Sequence, residues 1–247
     1  MQLPQPHIRL QPDAKLRCAI LPGDPARIDR ILPFLTDARE LAFHREYRSA
    51  VGYYKGVKML ALSTGIGGAS MSIAVEEMWR IGIRWAVRIG SAGALQEKVE
   101  LGDLVIANGA VRDDGASRTY VPESYPAVPD PDLMQACLRA ARKQGFRYHS
   151  GIVRSHDSFY TDQEERICQE WSARGVLASD METAALFTVG MLRGMRTGSI
   201  LNNVVRYHAD SAEGISAYAD GETLTAAGER AEILTALEAL AEVASVE

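Results

Sequence analysis

Three glycine-containing segments of this sequence each supply an arginine or the start of a helix to what could be a single anion site. They are residues 23–27 (GDPAR), 63–68 (STGIGG) and 88–93 (RIGSAG). Backbone amides at a helix start, glycines that allow close approach and guanidinium groups are the features that bind phosphate. Each segment follows an apolar run typical of a strand, and the ligand crevices of α/β sheets lie at the carboxyl ends of strands. The sequence therefore predicts a small-anion site with Arg27 and Arg88 as its cations.

Arg88 is the most informative of these residues because it interrupts residues 85–89 (WAVRI), a strand with apolar neighbours. A charged group in a buried strand is costly unless it is paired. Either a carboxylate partners Arg88 structurally, or Arg88 meets an anionic ligand at the strand end. Beside Arg27, Asp24 and Pro25 suit the N-cap and the first position of a helix. That helix start does not account for the arginine.

A carboxylate late in the chain, Glu182, has two interpretations. Residues 179–182 (SDME) fit a capping box, with the serine as N-cap and the glutamate at N3 of a helix. Alternatively, the Glu182 carboxylate binds the two hydroxyls of a sugar diol, and Met181 makes apolar contact with the sugar. Phe159 and Gln163 in turn suit a flat heterocycle, although a core phenylalanine and a surface glutamine are commoner.

The elements that must position these residues alternate between strands and helices. Strands are predicted over residues 16–21, 57–62, 85–89, 104–107, 151–153 and 198–205, and helices over residues 27–35, 69–81, 131–144, 181–192 and 221–243. This alternation predicts one α/β domain spanning residues 1–247, with a central mixed, largely parallel β-sheet flanked by helices. Residues 112–131 contain four prolines and predict a long surface excursion, either a lid or an interface arm.

Composition excludes several classes of function. The chain has 27 Lys and Arg against 32 Asp and Glu, a net charge of −5, and no basic run, which argues against nucleic-acid or membrane-surface partners. We expect no secretion signal, because the first residues lack a basic and then apolar leader. Three cysteines without metal-like spacing favour reduced thiols, a cytoplasmic location and no metal site.

Taken together and in order, six segments resemble the type I nucleoside phosphorylase family, and its uridine phosphorylase branch most. They are residues 21–27 (LPGDPAR), 44–47 (HREY), 63–68 (STGIGG), 88–94 (RIGSAGA), 157–160 (DSFY) and 181–184 (META). The resemblance implies the family's α/β fold and the cleavage of a nucleoside by inorganic phosphate, giving a free base and ribose 1-phosphate. It implies no cofactor and no metal, with phosphate as the co-substrate.

The same resemblance assigns roles to individual residues. It implies that phosphate is bound by Gly23, Arg27, Arg88 and Ser91, with Arg45 from a neighbouring subunit. It implies that ribose is bound by Met181, Glu182 and a neighbour's His7. The catalytic residues that it implies are Arg88, Glu182 and Arg206. Because two of these positions are shared between subunits, it implies self-association, as a dimer or a hexamer.

The base is the least determined part of the expected substrate. Arg206 occupies the place where purine-specific relatives carry an acid, which favours a pyrimidine nucleoside such as uridine. Residues 163–166 (QEER), however, displace by one position the arginine that uridine phosphorylases use, so Glu165 or Arg166 is expected near the base with Phe159 and Gln163. Asn203 is polar where relatives are apolar and is a further candidate base contact. A purine nucleoside phosphorylase, a nucleoside hydrolase and a non-catalytic binder of the same fold therefore remain alternatives.

Overall fold

The computed structural model describes residues 3–221 and 223–245. The strands are β1 (Cys18–Leu21), β2 (Thr36–His44), β3 (Tyr47–Tyr54), β4 (Val57–Leu62), β5 (Trp85–Ala94), β6 (Leu104–Asp113), β7 (Tyr148–His156), β8 (Ala178–Asp180) and β9 (Arg196–Val205). The helices are α1 (Arg27–Ile31), α2 (Gly68–Ile81), α3 (Gly115–Tyr120), α4 (Pro131–Gln144), α5 (Glu164–Ala173), α6 (Thr183–Leu192), α7 (Ser211–Ala219) and α8 (Thr223–Ala244). A short 3-10 turn, Leu32–Phe34, extends α1.

Within the described residues, the strands form one nine-stranded sheet in the order β2-β3-β4-β1-β5-β8-β7-β6-β9. The pairs β1–β4, β1–β5, β5–β9, β6–β7 and β7–β8 are parallel. The pairs β2–β3, β3–β4, β5–β8 and β6–β9 are antiparallel. Because β9 also pairs with β5, the strands β5, β8, β7, β6 and β9 close into a ring. Strand β5 therefore lies at the centre of the molecule.

Two hydrophobic cores cover the sheet, one on each face. Side chains of β1 alternate between them: Ala19 and Leu21 pack in the core that includes α2 and α6, whereas Cys18 and Ile20 pack in the core that includes α4 and α8. A strand buried on both faces must be apolar throughout, which explains the continuous apolar run at its position. The predicted fold class, α/β with a mixed, largely parallel sheet flanked by helices, is confirmed.

The predicted domain limits, residues 1–247, stay a prediction, and residues 1, 2, 222, 246 and 247 lie outside the described residues. No helix within residues 3–221 and 223–245 combines the length and the apolar character needed to cross a bilayer.

The hairpin of β2 and β3 was not predicted. Strand β2 is the outermost strand, and its first five residues are exposed, so it has neither an apolar run nor a clear alternation. Strand β5 is longer than the predicted residues 85–89, because the small residues of the GSAG segment continue the ladder to Ala94. The expectation that this glycine segment ends the strand is therefore wrong.

The predicted surface excursion, residues 112–131, contains regular elements and is anchored to the rest of the domain. They include the end of β6 and the helix α3, and Ala110 bridges to Ala127. Buried Arg112 donates hydrogen bonds to the Ser117 hydroxyl and to the carbonyls of Ser117, Val121, Pro122, Glu123 and Tyr125, at 2.6–3.3 Å. A single guanidinium thus anchors most of the segment.

Candidate active site

Arg88 lies in the middle of β5 and is only 3% exposed. Its Nε is 3.0 Å from Asp180 Oδ2, and its Nη2 is 2.5 Å from Glu182 Oε2. Its Nη1 is buried and has no hydrogen-bond partner among the described residues. Of the two alternatives left by the sequence, the structure supplies the carboxylate partners and still leaves one guanidinium donor for a ligand.

Gly90 makes room for the Arg88 guanidinium. A Cβ built at Gly90 would lie 2.6 Å from Arg88 Nη2 and 2.7 Å from its Cζ. The guanidinium lies along its own strand, directly over Gly90, which is two residues further along the chain. The glycine in this segment is therefore needed for side-chain packing.

Arg27, the first residue of α1, is buried beside the backbone of β5. Its Nη1 lies 3.4 Å from the carbonyl oxygen of Ile89 and 3.4 Å from Glu232 Oε1. Its Nε lies 3.3 Å from Glu229 Oε2, out of line for a hydrogen bond. Burial disfavours the charged guanidinium, but the nearby carboxylates of Glu232 and Glu229 raise the pKa of Arg27 above its ordinary value. Arg27 and Arg88 are thus both charged groups in the buried region around β5.

The first two glycine segments meet each other. The Gly65 amide donates to the Gly23 carbonyl at 2.9 Å, so the turn before α1 lies against the turn before α2. Gly67 has a φ of 93°, a left-handed conformation that favours glycine, and it precedes the first residue of α2. Its amide donates to Glu182 Oε1 at 2.6 Å. A helix N-terminus, Glu182 and Arg88 are therefore in direct contact.

Glu182 is not part of a capping box, so that interpretation of residues 179–182 is wrong. Helix α6 begins at Thr183, and Glu182 stands in the N-cap position without making a side-chain capping hydrogen bond. The Thr183 amide and hydroxyl instead donate to Asp180 Oδ2, at 3.0 and 2.6 Å. Glu182 instead points at Gly67 and Arg88. Burial raises its pKa, the Arg88 guanidinium opposes that rise, and Asp180 adds to it. A carboxylate held in this way can accept hydrogen bonds from a ligand hydroxyl.

The other residues expected at a phosphate or sugar differ in their surroundings. Ser91, in β5, and Met181, beside Glu182, are half-buried. His7 Nδ1 pairs with Glu77 Oε1 at 2.7 Å, and its side chain is 36% exposed. Arg45 is exposed at the tip of the β2–β3 hairpin, with a φ of 56°. Since His7 and Arg45 were expected to act in a neighbour's site, their predicted roles stay predictions.

A cavity of about 820 Å³ lies at the carboxyl end of β5. Three of the residues expected to contact the base or the reacting bond line it: Phe159, Glu165 and Arg206. Tyr160, Glu164, Tyr207 and His208 also line it, so one part of the wall is aromatic and another carries carboxylates. The shape and mixed lining suit a flat, polar ring.

Three expected base contacts do not line this cavity. The Gln163 Oε1 accepts from Arg166 Nη2 at 2.5 Å, and both side chains are exposed, Gln163 just before α5 and Arg166 in its first turn. Asn203 is buried, and its Nδ2 donates to the carbonyls of Val99 and Glu100 at 3.2 and 3.1 Å. The structure thus ties Asn203 to the loop between β5 and β6 and does not bring it to the cavity.

Sequence reasoning missed the carboxylates that hold Arg27. Glu229 and Glu232 lie on α8, 4% and 0% exposed, and Tyr218 of α7 donates to Glu229 and lies under the Arg27 guanidinium at 5.6 Å. Two glutamates three residues apart on a long helix look like ordinary surface residues. The available signal was their place on the face of α8 that also carries the apolar residues Ile233 and Ala236.

Comparison with known proteins gives a family model and several similar relatives. The model described as the phosphorylase superfamily matches residues 17–241. A uridine phosphorylase of Thermococcus kodakarensis is 42% identical over 208 residues, covering 79% of this chain and 75% of that protein. A guanosine phosphorylase of Halorubrum lacusprofundi is 39% identical over 196 residues, covering 79% of this chain and 81% of that protein.

Solved structures give the same result. The crystal structure of a uridine phosphorylase from Vibrio fischeri is 43% identical, with a TM-score of 0.90 over 98% of each chain. A purine nucleoside phosphorylase from Toxoplasma gondii, in complex with immucillin-H, is 27% identical, with a TM-score of 0.89 over 100% of this chain and 99% of that one.

Proposed function

This chain belongs to the phosphorylase superfamily, and from that membership we propose that it is a nucleoside phosphorylase. It cleaves the N-glycosidic bond of uridine or a related pyrimidine nucleoside with inorganic phosphate. The products are a free base and ribose 1-phosphate. The observation that carries the proposal is the buried contact of Arg88 with Glu182 beside the Gly67 amide.

In this proposal Arg88 and Arg27 hold the phosphate, with Gly23 and Ser91. The unpartnered Nη1 of Arg88 supports this role, because a buried donor without an acceptor is costly and a phosphate oxygen would satisfy it. Breaking the glycosidic bond develops positive charge on the sugar. A phosphate dianion held beneath that carbon stabilises the charge and attacks the same atom, so much of the rate gain comes from positioning and electrostatics.

Glu182 orients the ribose by accepting hydrogen bonds from its hydroxyls, and Met181 provides apolar contact. The base lies in the cavity at the carboxyl end of β5 against Phe159. Arg206, which lines the cavity and is exposed, stabilises the negative charge that develops on the departing base. The reaction as proposed needs no metal and no cofactor.

The working unit in this proposal is a homo-oligomer, at least a dimer, in which Arg45 and His7 complete a neighbour's site. The exposure of Arg45 at a hairpin tip supports this arrangement, because a side chain there can reach another subunit. A cytoplasmic location is also part of the proposal, supported by the low cysteine content.

A second candidate substrate is guanosine. Glu164 and Glu165 both line the cavity, and a carboxylate accepts the N–H groups that the edge of guanine presents. The relative named guanosine phosphorylase, 39% identical, supports the same alternative.

A substrate panel read by ultraviolet absorbance tests the proposal. Uridine, thymidine, guanosine, inosine and adenosine are each incubated with and without millimolar phosphate. We expect base release only with phosphate, and fastest with uridine. Release without phosphate would identify a hydrolase, faster release from guanosine would favour the second candidate, and tight binding of a base without turnover would identify a binding protein.

Gly90→Ala tests whether activity depends on the position of the Arg88 guanidinium. The added methyl group would push a guanidinium that is buried between two carboxylates, so we expect kcat/KM to fall about tenfold or more. The matched control is Gly198→Ala in the neighbouring strand β9. There the new Cβ would meet Leu133 Cγ at an ordinary 3.4 Å, so activity should be close to that of the wild type. Equal activity in the two variants would show that Arg88 tolerates displacement.

A further inference from the structure

Glu232 is a fully buried carboxylate to which the proposed mechanism gives no role. It projects from α8 toward β5, where its Oε2 accepts from the Gly90 amide at 3.0 Å. Its Oε1 lies 3.4 Å from Arg27 Nη1. Glu232 therefore occupies the space between the strand that carries Arg88 and the helix that carries Arg27.

The charges around this position do not balance. Among the described residues, the buried arginines Arg27 and Arg88 face four buried carboxylates, those of Asp180, Glu182, Glu229 and Glu232. Arg30, half-exposed, adds a further positive charge through Glu229. A phosphate dianion would increase the excess of negative charge in a region shielded from water. Like charges at such distances are strongly unfavourable unless one group takes up a proton.

Glu232 is the carboxylate best placed to take up that proton. Burial raises its pKa to about 8, the Arg27 guanidinium opposes that rise, and the Glu229 carboxylate adds to it. The other charged or titratable groups of the described residues that face it are Arg88 of β5 and Tyr218 of α7. A proton on Glu232 leaves Oε2 able to accept from the Gly90 amide and frees Arg27 for another anion.

We propose that Glu232 is a positioning residue that competes with phosphate for Arg27, and that it takes a proton from solvent when phosphate binds. The inference rests on the proposed function, since it assumes that phosphate binds at Arg27 and Arg88. At a pH high enough to ionise Glu232, and without phosphate, its carboxylate neutralises Arg27. With phosphate, the protonated side chain holds the β5 backbone and Arg27 turns its charge to the ligand.

The proposal fixes how phosphate affinity depends on pH. The pKa of Glu232 is about 8, so well below that pH the side chain is already protonated and binding has almost no proton to take up. Above that pH each further unit makes the protonated form ten times rarer, so the Kd for phosphate should rise by up to tenfold per unit. Inorganic phosphate is itself almost entirely the dianion in this range, so it adds little to the pH dependence.

Titration calorimetry with inorganic phosphate between pH 6.5 and 9, in two buffers with different heats of ionisation, measures both the affinity and the proton uptake. Glu232→Gln keeps an oxygen for the Gly90 amide and removes the charge. At pH 9 we expect this variant to bind phosphate about tenfold more tightly than the wild type and to take up about one proton fewer. In kinetics, KM for phosphate should change and KM for the nucleoside should not.

The matched control is Glu238→Gln, on the same helix, which pairs with Lys55 and Tyr54 away from this site. It should reproduce the wild-type pH dependence. If the wild type and Glu232→Gln had equal affinity and equal proton uptake at pH 9, the inference would be overturned and the proposed function would stand. Absence of phosphate binding by the wild type at every pH would overturn the proposed function and the inference with it. If Glu232→Gln does not fold, absence of proton uptake by the wild type between pH 8 and 9 overturns the inference without any variant.

Discussion

Replacing Arg88 with alanine is expected to lower the kcat of phosphorolysis by about 10²–10³. That is the effect of removing one preorganised group that stabilises charge in a transition state. In the structure the Arg88 guanidinium contacts Glu182, and its Nη1 is buried without a hydrogen-bond partner among the described residues. This Nη1 is the donor that we propose for phosphate. The measurement is steady-state turnover of uridine at saturating phosphate.

The same substitution should also destabilise the fold. Asp180 and Glu182 would lose the cation between them, and breaking a buried ion pair by removing one partner costs about 3–5 kcal/mol. Arg88→Lys keeps a positive charge and should recover part of the stability and less of the activity, because a single ammonium cannot span both carboxylates and a phosphate. Near-normal turnover by a folded Arg88→Ala protein would reassign Arg88 to a structural ion pair.

Arg193→Ala is the control for a lost arginine. Arg193 makes hydrogen bonds to both oxygens of Glu76, at 2.9 and 2.6 Å, but its side chain is 33% exposed and lies outside the cavity lining. This pair is less buried than the pairs of Arg88, so stability should fall less than in Arg88→Ala, and turnover should stay near the wild-type value.

Replacing Glu182 with glutamine is expected to lower kcat/KM by about 10². Hydrogen bonds to charged groups contribute about 1.5–3 kcal/mol, and here the carboxylate that would grip the ribose becomes a neutral amide. Glu182 now accepts from both Arg88 and the Gly67 amide. A glutamine would have to point its NH₂ group, which is a donor, at one of these two donors. The measurement compares kcat/KM with the melting temperature.

Melting and turnover together distinguish a Glu182 that binds ribose from one that only holds Arg88 and the Gly67 amide in place. If Glu182 had only that structural role, glutamine would lower stability and leave most of the activity intact. We expect a large loss of activity instead. Glu76→Gln, which alters the partly buried pair with Arg193 away from the cavity, is the matched control and should leave turnover near the wild-type value. Retained turnover in Glu182→Gln would remove the ribose role.

The sequence identified the cations of the site better than its anions. Arg88 was recognisable because a charge inside an apolar strand needs an explanation. The contact of Glu182 with Arg88 was not recognisable, because residues 179–182 match a local capping pattern and because strand β8 has only three residues. Local pattern and tertiary contact compete at this point, and the tertiary contact determines the structure.

The fold was predictable where burial on both faces makes a strand apolar, as in β1 and β4. It was not predictable where a strand faces solvent, as in β2, or where small residues continue a strand, as in Gly90–Ala94 of β5. The base contacts were the least predictable, because a turn of α5 decides which side chains face inward. Glu165 lines the cavity, whereas Gln163 and Arg166 hydrogen-bond to each other and do not line it.

The anchoring of residues 112–125 by Arg112 has a consequence for which parts of the molecule can move. Moving this segment away would strip a buried guanidinium of its carbonyl acceptors, at about 1.5–3 kcal/mol for each charged hydrogen bond. Helices α5 and α7 have no buried residue, and residues of both, or next to them, line the cavity. We therefore expect α5 and α7, which border the cavity, to open more readily than residues 112–125, which do not line it.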